Sequence, residues 1–284
     1  MISIEVRGRI MYFQFPKRTH RYFEEAMFYP LVFVDFVYED SIKIIKKVPA
    51  RHISDVKKIF YRKGKRLIEL YSRNETQEEI REIINKPGYK MFIDLELTMP
   101  KWGYNHPFSP EILQIGCVVL NENDEIVNYY DNYVKTVKPI TDRTFRFLSL
   151  GEEAVTEAID YEQFYNDYKH LIDIYNPVVY VWGGNDVVSL KKSYELHKLP
   201  EIKVEYQDLL QLHHKYFELK YDISLFNALR IYRGIEATQV HHALTDAQAT
   251  KEVYDGFKKH VNGIELFDVK GLQQKYMNEE KEAY

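Results

Sequence analysis

Apolar residues follow two different rhythms along this chain. In the first part, the runs 4–15, 31–37 and 42–48 are rich in β-branched and aromatic residues and read as strands, with Glu39-Asp40-Ser41 as the turn between the last two. The runs 59–62 and 66–71 flank Lys63-Gly64-Lys65, which predicts a hairpin with a strongly basic tip. Thr76-Gln77-Glu78-Glu79 has the form of a capping box and opens a helical stretch through Ile80, Ile83 and Ile84 that stops at Lys86-Pro87-Gly88. Beyond Gly88, strand-like runs at 91–97, 112–120, 126–134 and 178–182 are mixed with helical spacing at 161–175, 187–197, 209–219 and 243–260. This order predicts a small mostly-β (α+β) domain over 1–86, an α/β domain with a mixed central sheet over 89–262, and a partly helical tail over 263–284.

Composition sharpens that picture in three ways. With 45% hydrophobic and 29% charged residues in 284, the chain is neither disordered nor fibrous. Its net charge of −4 hides an asymmetry: residues 1–88 sum to +6 and the remainder to −10. That suits a segment holding a polyanion joined to one holding metal ions, although two ordinary solvated surfaces would give the same numbers. The basic tip is open in the same way. Arg62, Lys63, Lys65 and Arg66 could contact phosphates, or could keep a β edge from aggregating. A single cysteine, Cys117, rules out an internal disulfide and points to a reducing, cytoplasmic setting. No apolar run reaches the roughly 18 residues of a membrane helix, and the first residues do not read as a secretory signal.

Candidate chemistry begins in the run 91–97. Asp94 and Glu96 are two apart, so a strand points both to one face while Ile93, Leu95 and Leu97 line the other. Two acids on an apolar strand repel and lose hydration unless a cation sits between them, and magnesium or manganese suits such ligands. A wet edge strand is the alternative. Asp186 follows Gly183-Gly184-Asn185 at the carboxyl end of a strand, a place where ligand sites gather, although a helix cap is a common use of Asp. His241 and Asp246 open the last long helical stretch. They converge only if His241 lies on the entering loop and Asp246 on the first turn.

In order, the pieces are Asp94-x-Glu96, then 111–116 (Glu-Ile-Leu-Gln-Ile-Gly), Trp182-Gly183-Gly184-Asn185-Asp186, and His241-x-Ala243-Leu244-x-Asp246-Ala247. Over about 89–262 the chain resembles the DEDDh-type 3′–5′ exonucleases, which have a ribonuclease H-like fold. Its last two motifs are more similar to the branch that trims RNA 3′ ends than to proofreading domains. The resemblance implies that Asp94, Glu96, Asp186 and Asp246 hold two Mg2+ or Mn2+ ions and that His241 is the general base. The implied substrate is a single-stranded RNA or DNA 3′ end, RNA somewhat favoured, cut to nucleoside 5′-monophosphates. Family members often continue Asp-x-Glu-Thr-Thr-Gly, whereas this chain reads Leu97-Thr98-Met99-Pro100, so Leu97 and Thr98 are candidate substrate contacts on altered ground. Residues 1–86 are expected to help hold the substrate or to bind a protein partner. A non-catalytic binder or adaptor in an RNA-processing assembly is the alternative; the complete acid set and His241 argue against it.

Overall fold

The computed structural model describes all residues except 7, 27, 30, 104–106, 235–240 and 283–284. It divides into two units, Met1–Glu79 and Ile80–Tyr284. Among the described residues, no helix is long and apolar enough to cross a membrane.

The first unit contains β1 (Ile2–Val6), β2 (Arg9–Gln14), α1 (His20–Ala26), β3 (Val32–Ile45), β4 (Val48–Lys63), β5 (Arg66–Ser72) and the start of α2 (Arg73–Ile84). The sheet order is β1-β2-β4-β3, with β5 also on β4, over a core of Phe13, Phe15, Ile53, Val56 and Ile59. Four details differ from the pattern-based reading. The run 4–15 is two strands, because the chain reverses at Gly8, whose φ of 74° suits glycine. Residues 39–41 form no turn: β3 continues through them with a register slip between Tyr38 and Ile42. The reversal comes at Lys46 and Lys47, with φ of 50° and 66°, and a lysine pair carries no turn signal. Residues 49–58 are strand, whereas the pattern predicts strands only at 42–48 and 59–62 on either side of them. Register shifts against β3 bring Ala50, Ile53, Val56 and Ile59 to the core at a spacing of three, which masks the strand period of two.

The fourth difference concerns α2. Its first turn is tied to Ser72, whose hydroxyl accepts from the Glu75 N–H (3.4 Å), while Thr76 lies inside the helix and donates to the Ser72 carbonyl (3.1 Å). Ser72 and Glu75 repeat the capping-box spacing one turn earlier than the pair Thr76 and Glu79.

The second unit is built on β6 (Lys90–Leu97), β7 (Ile112–Leu120), β8 (Ile126–Tyr133), β9 (Val178–Val181) and β10 (Glu205–Asp208), in the order β10-β9-β6-β7-β8. β9 runs parallel to both β6 and β10, whereas β7 pairs antiparallel with β6 and β8. The helices are α3 (Asp142–Phe147), α4 (Glu153–Thr156), α5 (Tyr161–Tyr175), α6 (Asn185–His197), α7 (Leu209–Phe217), α8 (Leu225–Arg233), α9 (Ala243–Val261) and α10 (Val269–Glu282). Alternation along β6 feeds two cores. Met91, Ile93 and Leu95 pack with Phe164, Tyr168, Leu190 and Tyr194 of α5 and α6. Phe92 packs on the other face with Leu212, Val253 and Tyr254, joined by Ile80 and Ile84 from the end of α2 and by Val269 and Tyr276 of α10. The segment after residue 262 is therefore helical from Val269 to Glu282, and this helix contributes to the core.

Candidate active site

Asp94 and Glu96 share the face of β6 that α9 covers, since alternation puts them with Phe92 rather than with Ile93 and Leu95. Glu96 pairs with Gln114, and an irregularity follows at once, with Leu97 opposite Ile112 and Leu113 left over. Such bulges re-aim side chains beside functional sites. The ladder between β6 and β9 ends at Phe92 and Tyr180. Beyond it the Asp186 carboxylate takes backbone hydrogen bonds from Leu95 and from its own amide. Asp186 is the second residue of α6, whose N-cap is Gly184, so it is not the cap. Gly183, at φ 93°, makes the turn and donates its N–H to Asp208 (3.2 Å), the cap of α7.

The start of α9 separates its two histidines. His242 is the N-cap residue, its carbonyl accepting from the Asp246 N–H (3.0 Å), so Asp246 falls on the first turn. His241 precedes it in the left-handed region at φ 53°, with its ring 4.5 Å from that of Phe147. Ligand atoms of Glu96, Asp246 and His241 all lie within 4.8 Å of one another. His242 turns elsewhere. Gln114 Nε2 donates to His242 Nε2 (3.0 Å) and to Asp131 (2.9 Å), while Gln114 Oε1 accepts from the Ala243 N–H (3.2 Å). Gln114 thus fastens the start of α9 to β7. Its signal in the sequence is that of a lone amide in the apolar strand Ile112–Leu120.

Electrostatics at this cluster are unfavourable without a cation. Burial, then the charges of Asp186, Asp246 and Glu96, holds the Asp94 carboxyl well above the usual carboxylate range. Glu96 is pushed up to about 8 by burial and then by Asp246 and Asp186. Asp186 is pushed up to about 7, chiefly by burial and despite its two backbone hydrogen bonds. Carboxylates that share a desolvated site in this way are relieved by a hard divalent ion, and an oxygen-rich donor set suits one. Asp94 and Asp246 also line a 370 Å³ cleft whose other walls include Trp182, Leu210, Ile223 and Leu225.

The remaining candidates each have surroundings of their own. Thr98 is buried, and its hydroxyl accepts from the Glu111 N–H (2.9 Å). Leu97 packs at the edge of the α5 and α6 core. Arg62, Lys63, Lys65 and Arg66 are exposed around a two-residue turn, with Gly64 at φ 63° and Lys63 paired with Arg66. His213 is a core residue, pushed down to about 3 by burial and bonded to the Tyr232 hydroxyl (2.8 Å). Cys117 is buried in β7, and burial pushes its thiol up.

Gly116 makes the closest approach in the site. A Cβ there would lie 2.1 Å from Leu244 N and 2.2 Å from the Ala243 carbonyl carbon, both backbone atoms of α9. Gly116→Ala is expected to cost about 2–3 kcal/mol of stability, because α9 must shift off β7. Turnover should fall more than about tenfold, since a 1 Å misplacement is enough for such losses. Thermal denaturation and initial rates check this; wild-type values for both would show that the contact is dispensable.

Comparison with known proteins agrees with this architecture. The family model described as "Exonuclease" matches residues 91–254. The "Probable 3'-5' exonuclease KapD" of Bacillus subtilis (strain 168) is 30% identical over 169 residues, which is 58% of this chain and 82% of KapD. The nuclease domain of 3'hExo, a DEDDh family member solved with rAMP, superposes with a TM-score of 0.52 at 17% identity, covering 63% of this chain and 94% of that one. A 3′-exonuclease structure concerned with histone mRNA stem-loop recognition gives 0.51 at 16% identity, over 63% of this chain and 65% of its own. This chain therefore belongs to the exonuclease family of 3′–5′ exonucleases, and its motif order is that of the DEDDh group.

Proposed function

We propose that this exonuclease shortens single-stranded nucleic acid from its 3′ end, RNA ahead of DNA, and releases nucleoside 5′-monophosphates. The observation that carries the reading is the meeting of Glu96, Asp246 and His241 within 4.8 Å, next to the raised carboxyls of Asp94 and Asp186. Asp94, Glu96, Asp186 and Asp246 would hold two Mg2+ or Mn2+ ions. Bound there, such ions supply activation of water and stabilisation of the departing 3′ oxygen. His241 takes the proton of the attacking water, a task suited to an imidazole near neutral pH. Gln114 keeps His242 out of that role by holding its ring against Asp131. The RNA preference is supported by the form of the last two motifs and by a neighbour of the same fold that recognises a histone mRNA stem-loop.

End-labelled RNA and DNA strands of one sequence, incubated with magnesium, manganese or chelator beside an Asp94→Ala control, test this reading. A ladder from the 3′ end is expected only with the ions and the intact acid. Activity surviving in chelator or in the control would remove the metal-dependent mechanism.

The basic hairpin is the part of residues 1–86 best suited to holding substrate, because phosphate contacts supply most non-specific affinity. Reversing Lys63, Lys65 and Arg66 to Glu should weaken single-strand binding about tenfold at low salt and flatten its dependence on salt by roughly 0.7 per lost phosphate contact. Unchanged affinity and slope would favour a protein partner for this module.

A further inference from the structure

The sheet of the first unit has two faces of different character. Val32, Val34 and Phe36 of β3 pack on its core, with Tyr22 and Phe23 of α1 against the same cluster. Alternation therefore turns Phe33 and Asp35 to the opposite face. The register with β4 sets Phe33 opposite Phe60 and Asp35 opposite Lys58. Ile59 and Tyr61, on either side of Phe60, are buried, so Phe60 and Arg62 share that open face. There β5 adds Glu69 opposite Phe60 and Leu67 opposite Arg62.

The rings of Phe33 and Phe60 lie 5.5 Å apart and 19° from parallel, an offset stack across two strands. Phe33 is 41% exposed and Leu67 61% exposed. An apolar patch left open on a sheet marks a binding surface, and its charge selects the occupant. Across 31–35 and 58–69, five cations face two acids, Asp35 and Glu69. Lys58 meets both acids, bonded to Glu69 (3.0 Å) and opposite Asp35 in the register. The surplus of positive charge thus lies at the hairpin end, where Arg62 Nε donates to the Gly64 carbonyl (2.9 Å).

We propose that Phe33 and Phe60 form a base-stacking platform for an unpaired nucleic-acid strand whose phosphates run along Arg62 and the basic tip. The platform rests on the reading that residues 1–86 hold substrate, and it gives that reading a strand preference. Phosphate contacts alone hold paired and unpaired strands alike. Aromatics on neighbouring strands of an open sheet add stacking, which needs a free base face and so favours the unpaired strand without reading its sequence. A protein partner would suit a rim of mixed sign better than one of a single sign.

The test compares the wild type with Phe33→Ala, Phe60→Ala, the double variant and Phe60→Trp. Each is mixed with an unpaired RNA oligonucleotide or an abasic strand of equal length. Binding is read by fluorescence anisotropy in chelator across a salt series. The double variant should bind RNA about 5- to 100-fold more weakly, with each single variant between it and the wild type. On the abasic strand the loss should shrink to about threefold or less, and the salt slope should stay as it was, because no phosphate contact is removed. Phe60→Trp should keep most of the affinity, and its added indole emission should be quenched by RNA and not by the abasic strand. Wild-type RNA affinity in the double variant would overturn the platform and leave this face to a protein partner. An equal loss on both strands, or an indole at 60 whose emission ignores RNA, would overturn it as well. Base-dependent loss of binding in a protein that shortens no strand would support the platform and overturn the exonuclease reading instead.

Discussion

Asp94→Asn is expected to lower turnover by about 10³-fold or more and, in the same protein, to raise the melting temperature measured in chelator. The first effect follows from removing a carboxylate proposed to hold metal, since a bound ion supplies several kcal/mol of transition-state stabilisation. The second follows from the cluster itself. Asp94 keeps its ordinary charge only against burial and three neighbouring acids, and an amide of the same shape removes that conflict.

The pH dependence has a definite sign. Glu96 and Asp186 titrate at about 8 and 7 in the folded protein, against ordinary values near 4 in the unfolded chain. Between pH 4 and 8 the folded state thus holds protons that the unfolded chain has released. Metal-free stability should fall as pH rises through this window and level off above it. Saturating magnesium or manganese should restore stability at pH 8, and Asp94→Asn should flatten the curve. A melting temperature in chelator that rises from pH 5 to 8 would contradict the raised carboxyls of Glu96 and Asp186.

His241→Ala should cost about 10²–10⁴-fold in kcat, the range for losing a general base, with little change in substrate affinity. His242→Ala should cost far less, about tenfold, because His242 supports the helix start through Gln114 rather than meeting the acids. Single-turnover rates for the two variants check the order. If His242→Ala were the more damaging, the base assignment would pass to His242.

How far the amino-acid pattern carried these conclusions differed between the units. In the second unit, Asp94 and Glu96 on an apolar strand, Asp186 after a glycine pair and His241 ahead of Asp246 were legible as an ordered set that resembles a known family, while each piece alone had a common alternative. The geometry that separates His241 from His242 was not, since it depends on Gln114 from a strand remote in sequence. Gly116 stood in the motif, but its role depends on where α9 crosses β7. In the first unit the reading was weaker for a local reason. Bulges gave β4 a spacing of three, and a lysine pair made a turn that glycine or asparagine usually marks. Phe147 gave no signal above that of an ordinary aromatic until α3 was seen beside His241.

The crossing of α9 over Gly116 also has a consequence for the order of events during synthesis. Asp94 and Glu96 emerge first, whereas His241 and Asp246 follow on the order of 150 residues later. They meet the acids only when α9 docks on β7. Until then a nascent chain carries the carboxylates without their histidine. The cluster of Glu96, Asp246 and His241 is therefore assembled only once α9 has left the ribosome. Refolding followed by fluorescence and by activity should show the same lag, with cleavage appearing only in the phase that buries Tyr254 of α9.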